Sequence, residues 1–288
     1  MVRGLNLLGE VRSSSSRKNA FRYLLRRIRE RLNRGKNVII VIEGDTGSGK
    51  SSASISIAWH IDEVWQSEPE VAAKMLIVFS ALEFLAIVRL LLERSEEAEL
   101  YRGRFIVVEE AGAGASGLST GAVQEMRNVL EVFRQWQINV IFNLPLASRI
   151  ESIKYEFAHF AIWCKDVIPS ERVVLARLKE RYRDEQKIAF VNPFALQAGF
   201  TNSQLPGALM RIPWAPESIW NEYQKQKMEF FTKLTERGIK RSLRLGKRGD
   251  LSQYIVRDHF QHVIDEVVQR EPEIVRRPRD IIDETLMW

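Results

Sequence analysis

A run of β-branched residues that leads directly into a glycine-rich turn constrains this chain more than any other feature. Residues 37–43 read Asn-Val-Ile-Ile-Val-Ile-Glu, which is typical of a parallel strand buried on both faces. The turn follows over residues 44–51 as Gly-Asp-Thr-Gly-Ser-Gly-Lys-Ser, and residues 52–59 continue with a helical pattern. The order of strand, G-x-x-x-x-G-K-S and helix predicts a P-loop within an α/β domain.

Each residue type in this turn has a physical reason. Glycines let the backbone approach a phosphate closely, and successive amides at a helix N-terminus then bind the anion. Lys50 is predicted to contact the β- and γ-phosphates of ATP, and Ser51 to ligate Mg²⁺. The predicted nucleotide-binding residues are Gly44, Asp45, Thr46, Gly47, Ser48, Gly49, Lys50, Ser51 and Ser52. No Asn-Lys-x-Asp motif for reading guanine occurs in the sequence, so ATP is the expected nucleotide.

A second buried-strand pattern ends in two carboxylates. Residues 105–108 are Phe-Ile-Val-Val, and Glu109 and Glu110 follow directly. In a P-loop ATPase the first carboxylate orients Mg²⁺ and the second polarises the attacking water. Glu109 is therefore the predicted metal-side residue and Glu110 the predicted catalytic base, with an ordinary acidic strand end as the alternative. The glycine-rich residues 111–121 that follow are a mobile loop that rearranges with nucleotide state or contacts a polymer, or else a flexible connector.

A third strand is predicted at residues 138–143, after a helix over residues 124–136. It ends in Asn143, which is predicted to sense the γ-phosphate, with a turn residue as the alternative. Arg134, four residues before this strand, is the first candidate for an arginine finger supplied to a neighbouring subunit; Arg127 and Arg149 are further candidates. An arginine finger lowers the barrier by about 4–7 kcal/mol. A surface ion pair is the alternative role for Arg134.

Together, residues 44–51, 105–110 and 138–143, with Arg134 upstream, resemble the HerA/FtsK-like branch of RecA-type ATPases. Within it, the chain is most similar to archaeal, plasmid and viral genome-packaging and conjugation ATPases. The resemblance covers residues 37–165. It implies a RecA-like, mostly parallel sheet flanked by helices, and a homo-oligomeric ring, expected to be a hexamer, that moves double-stranded DNA. Glu109 stands where Asp is usual in this family, and Asn143 where many members have Gln.

The remaining chain suggests three regions: a basic N-terminal segment over residues 1–36, a P-loop ATPase domain over 37–212 and a helical C-terminal extension over 213–288. Residues 12–36 contain ten Lys or Arg and one acid. Their helical pattern indicates a helix that packs on the domain, contacts nucleic-acid phosphates or lies on a membrane surface. Further strands are predicted at residues 157–163, 172–178 and 187–191, the last two as a hairpin. Helices are predicted from Pro216 to Glu236 and over residues 251–268, and these C-terminal helices are expected to bind DNA, a protein partner or a neighbouring subunit.

Composition restricts the class of protein and the cellular compartment that we expect. The chain has 43 Lys and Arg against 37 Asp and Glu, a net charge of +6. Its one cysteine, Cys164, excludes an internal disulfide and is expected to be a small buried residue in a reducing cytoplasm. The most apolar stretch, residues 79–92, is interrupted by charges and is shorter than the roughly 20 residues that span a bilayer. Two alternatives to a DNA motor stay open: an ATP-gated switch or assembly factor with slow hydrolysis, and a DNA-binding ATPase that acts in partition or regulation.

Overall fold

The computed structural model describes residues 14–79, 83–84, 86–89, 99, 101–109, 130, 133–144, 156–183 and 188–243. Eight strands within these residues form a single sheet flanked by helices. The strands are β1 Ile39–Glu43, β2 Ile77–Val78, β3 Phe105–Val108, β4 Asn139–Leu144, β5 Phe160–Ile168, β6 Val173–Arg183, β7 Ile188–Val191 and β8 Ala208–Pro213. The helices are α1 Ser14–Leu32, α2 Lys50–Ile61, α3 Glu63–Ser67, α4 Pro69–Leu76, α5 Pro193–Gln197 and α6 Glu217–Leu243, and residues 83–84, 86–89 and 133–135 are also helical. The predicted α/β class, with a mostly parallel sheet, is confirmed.

The parallel part of the sheet runs in the order β2, β3, β4, β1 and β5. The strand that carries Asn143 therefore lies between the P-loop strand and the strand that precedes Glu109. Because parallel strands share one direction, the carboxyl ends of β1, β3 and β4 meet at the same edge. The β1–β4 register, which pairs Ile39 with Val140 and Glu43 with Leu144, aligns these ends.

The rest of the sheet is antiparallel. The predicted hairpin is present as β6 and β7, and β6 also pairs with β5 along most of its length. One boundary is corrected here: the strand predicted at residues 157–163 begins at Phe160 and extends to Ile168, because its second half pairs with β6. The first half of β6 also pairs with β8, which the sequence does not predict, because its six residues show only short alternation.

The basic helix α1 packs on the sheet. Ala20, Leu24 and Ile28 are fully buried, and α1 contacts β8 and α2. The Arg27 guanidinium reaches across to Glu180 on β6 at 2.8 Å. Of the roles left open for this helix, packing on the domain is the one that the structure shows.

At the other end of the described chain, α6 packs on α4. Its buried residues are Ile219 and Tyr223, and Phe79 stacks on Tyr223 and on Phe230 at ring distances of 6.0 and 5.3 Å. The helix expected from Pro216 is thus present and continues to Leu243. The helix predicted at residues 251–268 lies outside the described residues. None of the described helices is long and apolar enough to cross a membrane.

Candidate nucleotide-binding site

The P-loop connects the carboxyl end of β1 to the first residue of α2. Gly49 caps α2 with a φ of 90°, a conformation that favours glycine. A Cβ at Gly49 would lie 2.8 Å from a methyl of Val167 and 2.9 Å from a methyl of Val174. A Cβ at Gly44 would lie 2.7 Å from the carbonyl oxygen of Cys164. The antiparallel strands β5 and β6 therefore press against the loop, and glycine is required at both places.

The Lys50 ammonium is held by the loop itself. Its Nζ donates to the carbonyl oxygens of Gly44 and Asp45, both at 2.8 Å. An anion inside the loop offers a stronger acceptor than two neutral carbonyls, because its negative charge also attracts the ammonium. The Lys50 ammonium is thus held against the loop and can exchange its carbonyl partners for phosphate oxygens.

The Glu109 carboxylate, directly after β3, forms hydrogen bonds to α2 and to β4. Ser51 Oγ, on α2, donates to Glu109 Oε2 at 2.8 Å. Asn143 Nδ2, at the end of β4, donates to Glu109 Oε1 at 2.8 Å and to Ser54 Oγ at 2.9 Å. Ser54 Oγ in turn donates to the Ser51 carbonyl at 2.9 Å. We call Ser51, Ser54, Glu109 and Asn143 the Glu109 network.

Two members of the Glu109 network are almost completely buried. Glu109 is 3% exposed and Asn143 is 1% exposed, so their hydrogen bonds are made in a low-dielectric setting where they are strong. Asn143 Oδ1 is buried, and no partner for it exists among the described residues. This acceptor belongs to the same side chain that donates to the Glu109 carboxylate.

The donor set fits Mg²⁺. That ion prefers oxygen ligands and is usually held by one or two carboxylates together with substrate phosphates. Ser51 and Glu109 supply one hydroxyl and one carboxylate, both predicted for this role. In the described part of the chain no group of three or more His, Cys, Asp or Glu side chains is placed to hold a metal by itself. Nucleotide phosphates would therefore have to complete the coordination.

Arg134 is not part of this site. It is exposed and lies in the helical residues 133–135, ahead of the amino end of β4. β4 has six residues and is about 20 Å long. Arg134 and the P-loop therefore lie at opposite edges of the sheet. Glu110, Arg127, Arg149 and residues 111–121 lie outside the described residues, so their predicted roles stay predictions.

Sequence reasoning missed Ser54 and the residues that press on the loop. Ser54 follows Ser51 by three positions on α2, which places both on one helix face, and this spacing was the available signal. Val167 and Val174 carry no such signal, because they reach the loop only through the pairing of β5 with β6. Cys164 is buried, and burial raises the pKa of its thiol to about 12. It stays protonated and packs as a small apolar residue, as expected.

No protein-family model matches the chain, and no curated protein matches its sequence. Among solved structures, it is similar to a KaiC-like protein from the hyperthermophilic archaeon Pyrococcus horikoshii. The two share 13% identity over 54% of this chain and 89% of the other, with a TM-score of 0.28. The chain's own sheet order and site define its class: an α/β P-loop protein with an additional strand between the P-loop strand and the acidic strand.

Proposed function

We propose that this protein is a Mg²⁺-dependent ATPase that works as an oligomer and moves double-stranded DNA. The observation that supports ATP turnover is the Glu109 network, which joins the P-loop helix to the acidic strand and to the strand between them. A loop that only bound an anion would not need a buried carboxylate in contact with its serine. The DNA part of the proposal rests on the resemblance to packaging and conjugation ATPases.

The chain's own residues have distinct tasks in this proposal. Lys50 leaves its two loop carbonyls and donates to the terminal phosphates. Ser51 and Glu109 hold the metal, which when bound neutralises charge on the phosphate oxygens. Glu110 takes the proton of the attacking water. Asn143 is linked through the network to both the metal side and α2, so a change at the γ-phosphate alters contacts on both.

Arg134 requires an assembly if it acts as an arginine finger. It lies at the edge of the sheet opposite the P-loop, so it can reach a nucleotide only on another copy of the chain. A contact between the part of this edge around Arg134, ahead of β4, in one copy and the P-loop edge of the next is head-to-tail, and repeated contacts of this type can close into a ring. The proposal therefore includes a ring, expected to be a hexamer, in which ATP turnover depends on assembly.

The experiment is ATP turnover with and without duplex DNA, together with the mass of the particle in ATP. Lys50→Ala is expected to lose turnover. Glu110→Gln is expected to bind ATP but to hydrolyse it about 10²–10⁴ times more slowly, because a general base is lost. Wild-type turnover in Glu110→Gln would remove that residue from the mechanism.

DNA separates a motor from the alternatives. Stimulation of ATP turnover by several-fold supports translocation, whereas DNA binding without stimulation supports a regulatory or partition ATPase. Slow turnover that DNA does not change, with ATP-dependent assembly, supports a switch. If ATP with Mg²⁺ shows no saturable binding, the proposal fails entirely.

A further inference from the structure

The edge of the sheet opposite the P-loop collects basic side chains from distant parts of the sequence. β1 and β4 begin together there, as the pairing of Ile39 with Val140 shows. β6 runs antiparallel to β5, so its last residues reach the same edge. The amide of Arg181 donates to the carbonyl of His159 at 2.9 Å, just before β5 begins.

The end of α1 arrives at this edge as well. Arg31 Nη2 donates to the carbonyl of Asn37 at 3.2 Å, which holds the helix end at the start of β1. A Cβ at Gly35 would lie 3.2 Å from Gln137 Nε2, so the turn after α1 lies beside the residues that precede β4. Apart from Arg134, we call the basic residues of this edge the amino-end surface, and they are Arg31, Arg34, Lys36, Arg181 and Arg183.

These five charges lack counter-ions in the part of the chain that the structure describes, where none of them forms an ion pair. Glu180 lies at the same edge, but its carboxylate accepts from Tyr23 at 2.5 Å and from Arg27 at 2.8 Å. Burial, followed by repulsion between neighbouring arginines, lowers the pKa of Arg31 and of Arg181. Within the described ranges, the surface thus carries positive charge that no ion pair neutralises.

The same positive charges act on His159, which lies at this edge. Its Nδ1 accepts from the amide of Ile39 at 3.0 Å, so the neutral ring carries its proton on Nε2. Burial lowers the pKa of His159 to about 3, and the charges of Arg31, Arg181 and Arg134 act in the same direction. The imidazole is neutral at physiological pH and adds no charge of its own.

We infer that the amino-end surface binds the phosphate backbone of double-stranded DNA. The inference rests on the proposed function and adds where the DNA lies: on the edge of the sheet opposite the ATP site. Four of the five residues are arginines, whose planar forks match phosphate oxygens. A polyanion contacts several of these charges at once and releases its counter-ions, whereas a small anion contacts one or two.

The test is the salt dependence of binding to a fluorescent duplex, measured with the full chain. Arg34→Gln combined with Arg183→Gln removes two exposed charges of the surface. Each lost phosphate contact lowers the slope of log affinity against log salt by about 0.9, so a fall of about 2 is expected. ATP affinity is expected to stay unchanged, since neither residue is near the P-loop of its own copy.

The matched control is Arg22→Gln combined with Lys225→Gln, which removes the same charge from exposed positions on α1 and α6. Its slope is expected to equal that of the wild type. Lys36→Gln gives a second, single-site test with an expected change of about 1. Arg134 is left intact, because its predicted action on a neighbouring copy's nucleotide would alter turnover.

The outcomes separate this inference from the function it rests on. If the wild type binds duplex and the amino-end and control variants have equal slopes, the inference is overturned while the DNA motor stands. If the wild type binds ATP but not duplex, both the inference and the DNA part of the proposed function fail. A fall in slope confined to the amino-end variants supports the inference.

Discussion

Replacing Gly49 by alanine tests whether β5 and β6 shape the P-loop. The new methyl would lie 2.8–3.0 Å from methyls of Val167 and Val174, and the residue would keep a φ of 90°. The backbone conformation costs about 1–2 kcal/mol for a residue with a Cβ. Overpacking costs about 1–3 kcal/mol more. We therefore expect Gly49→Ala to lower the free energy of unfolding by about 2–5 kcal/mol.

Gly47→Ala is the matched control for this substitution. Gly47 also has a positive φ, 82°, but a Cβ there would meet no atom within 4 Å. Only the backbone cost applies, so its expected loss is about 1–2 kcal/mol. Both losses are to be measured by urea unfolding without nucleotide. Equal slopes of free energy against urea concentration would show that the variants and the wild type can be compared as two-state transitions.

A double-mutant cycle assigns the difference to its cause. Val174→Ala removes two of the methyls that crowd the new side chain. Gly49→Ala in that background is expected to cost about 1–2 kcal/mol less than in the wild type. Equal losses for the two glycine variants, together with additivity in the cycle, would show that strand packing does not impose glycine at Gly49.

Two further predictions concern buried polar residues. The pKa of His159 is about 3 when folded and about 6.5 when unfolded, so only the unfolded chain takes up its proton as pH falls. The His159 contribution to stability is full above pH 6.5, and below it the free energy of unfolding falls by up to about 1.4 kcal/mol per pH unit. His159→Asn keeps an acceptor for the amide of Ile39 and should remove this pH dependence from the free energy of urea unfolding between about pH 5 and 6.5. An unchanged pH profile would show that another group takes up the proton. Asp62 caps α3 and accepts from the amide of Phe105 at 2.9 Å and from Arg104 at 3.2 Å, so Asp62→Ala should cost about 3–5 kcal/mol in the same assay, and a loss below about 1 kcal/mol would contradict these contacts.

The sequence predicted the local elements of the site well. Residues 105–108 form β3 as expected, and α2 begins at Lys50 within the P-loop motif. These elements are readable because their patterns involve residues close in the chain: a buried strand is an apolar run, and the loop is a fixed spacing of glycines. Glu109 and Asn143 were named for the same reason, since each follows or ends such a run.

Contacts between distant segments were not readable. Val167 and Val174 reach the loop through the pairing of β5 with β6, and no periodicity in the sequence predicts them. β8 was missed because its partner, β6, lies about 30 residues earlier in the chain. Short strands owe their existence to such a partner more than to their own residues.

What the sequence by itself determined is which residues stand at the carboxyl ends of the strands: the glycine-rich P-loop with Lys50, the carboxylate of Glu109 and the polar strand end at Asn143. Only the tertiary structure decided which of these residues lie next to one another and at which edge of the sheet each one lies. The order of the parallel strands brings Asn143 to Glu109 and sends Arg134 to the far edge, and the antiparallel return of β6 sets Arg181 at the same edge as Arg31. The physical reason is that pairing between strands depends on crossovers and on burial of the whole sheet, which no single stretch of residues encodes.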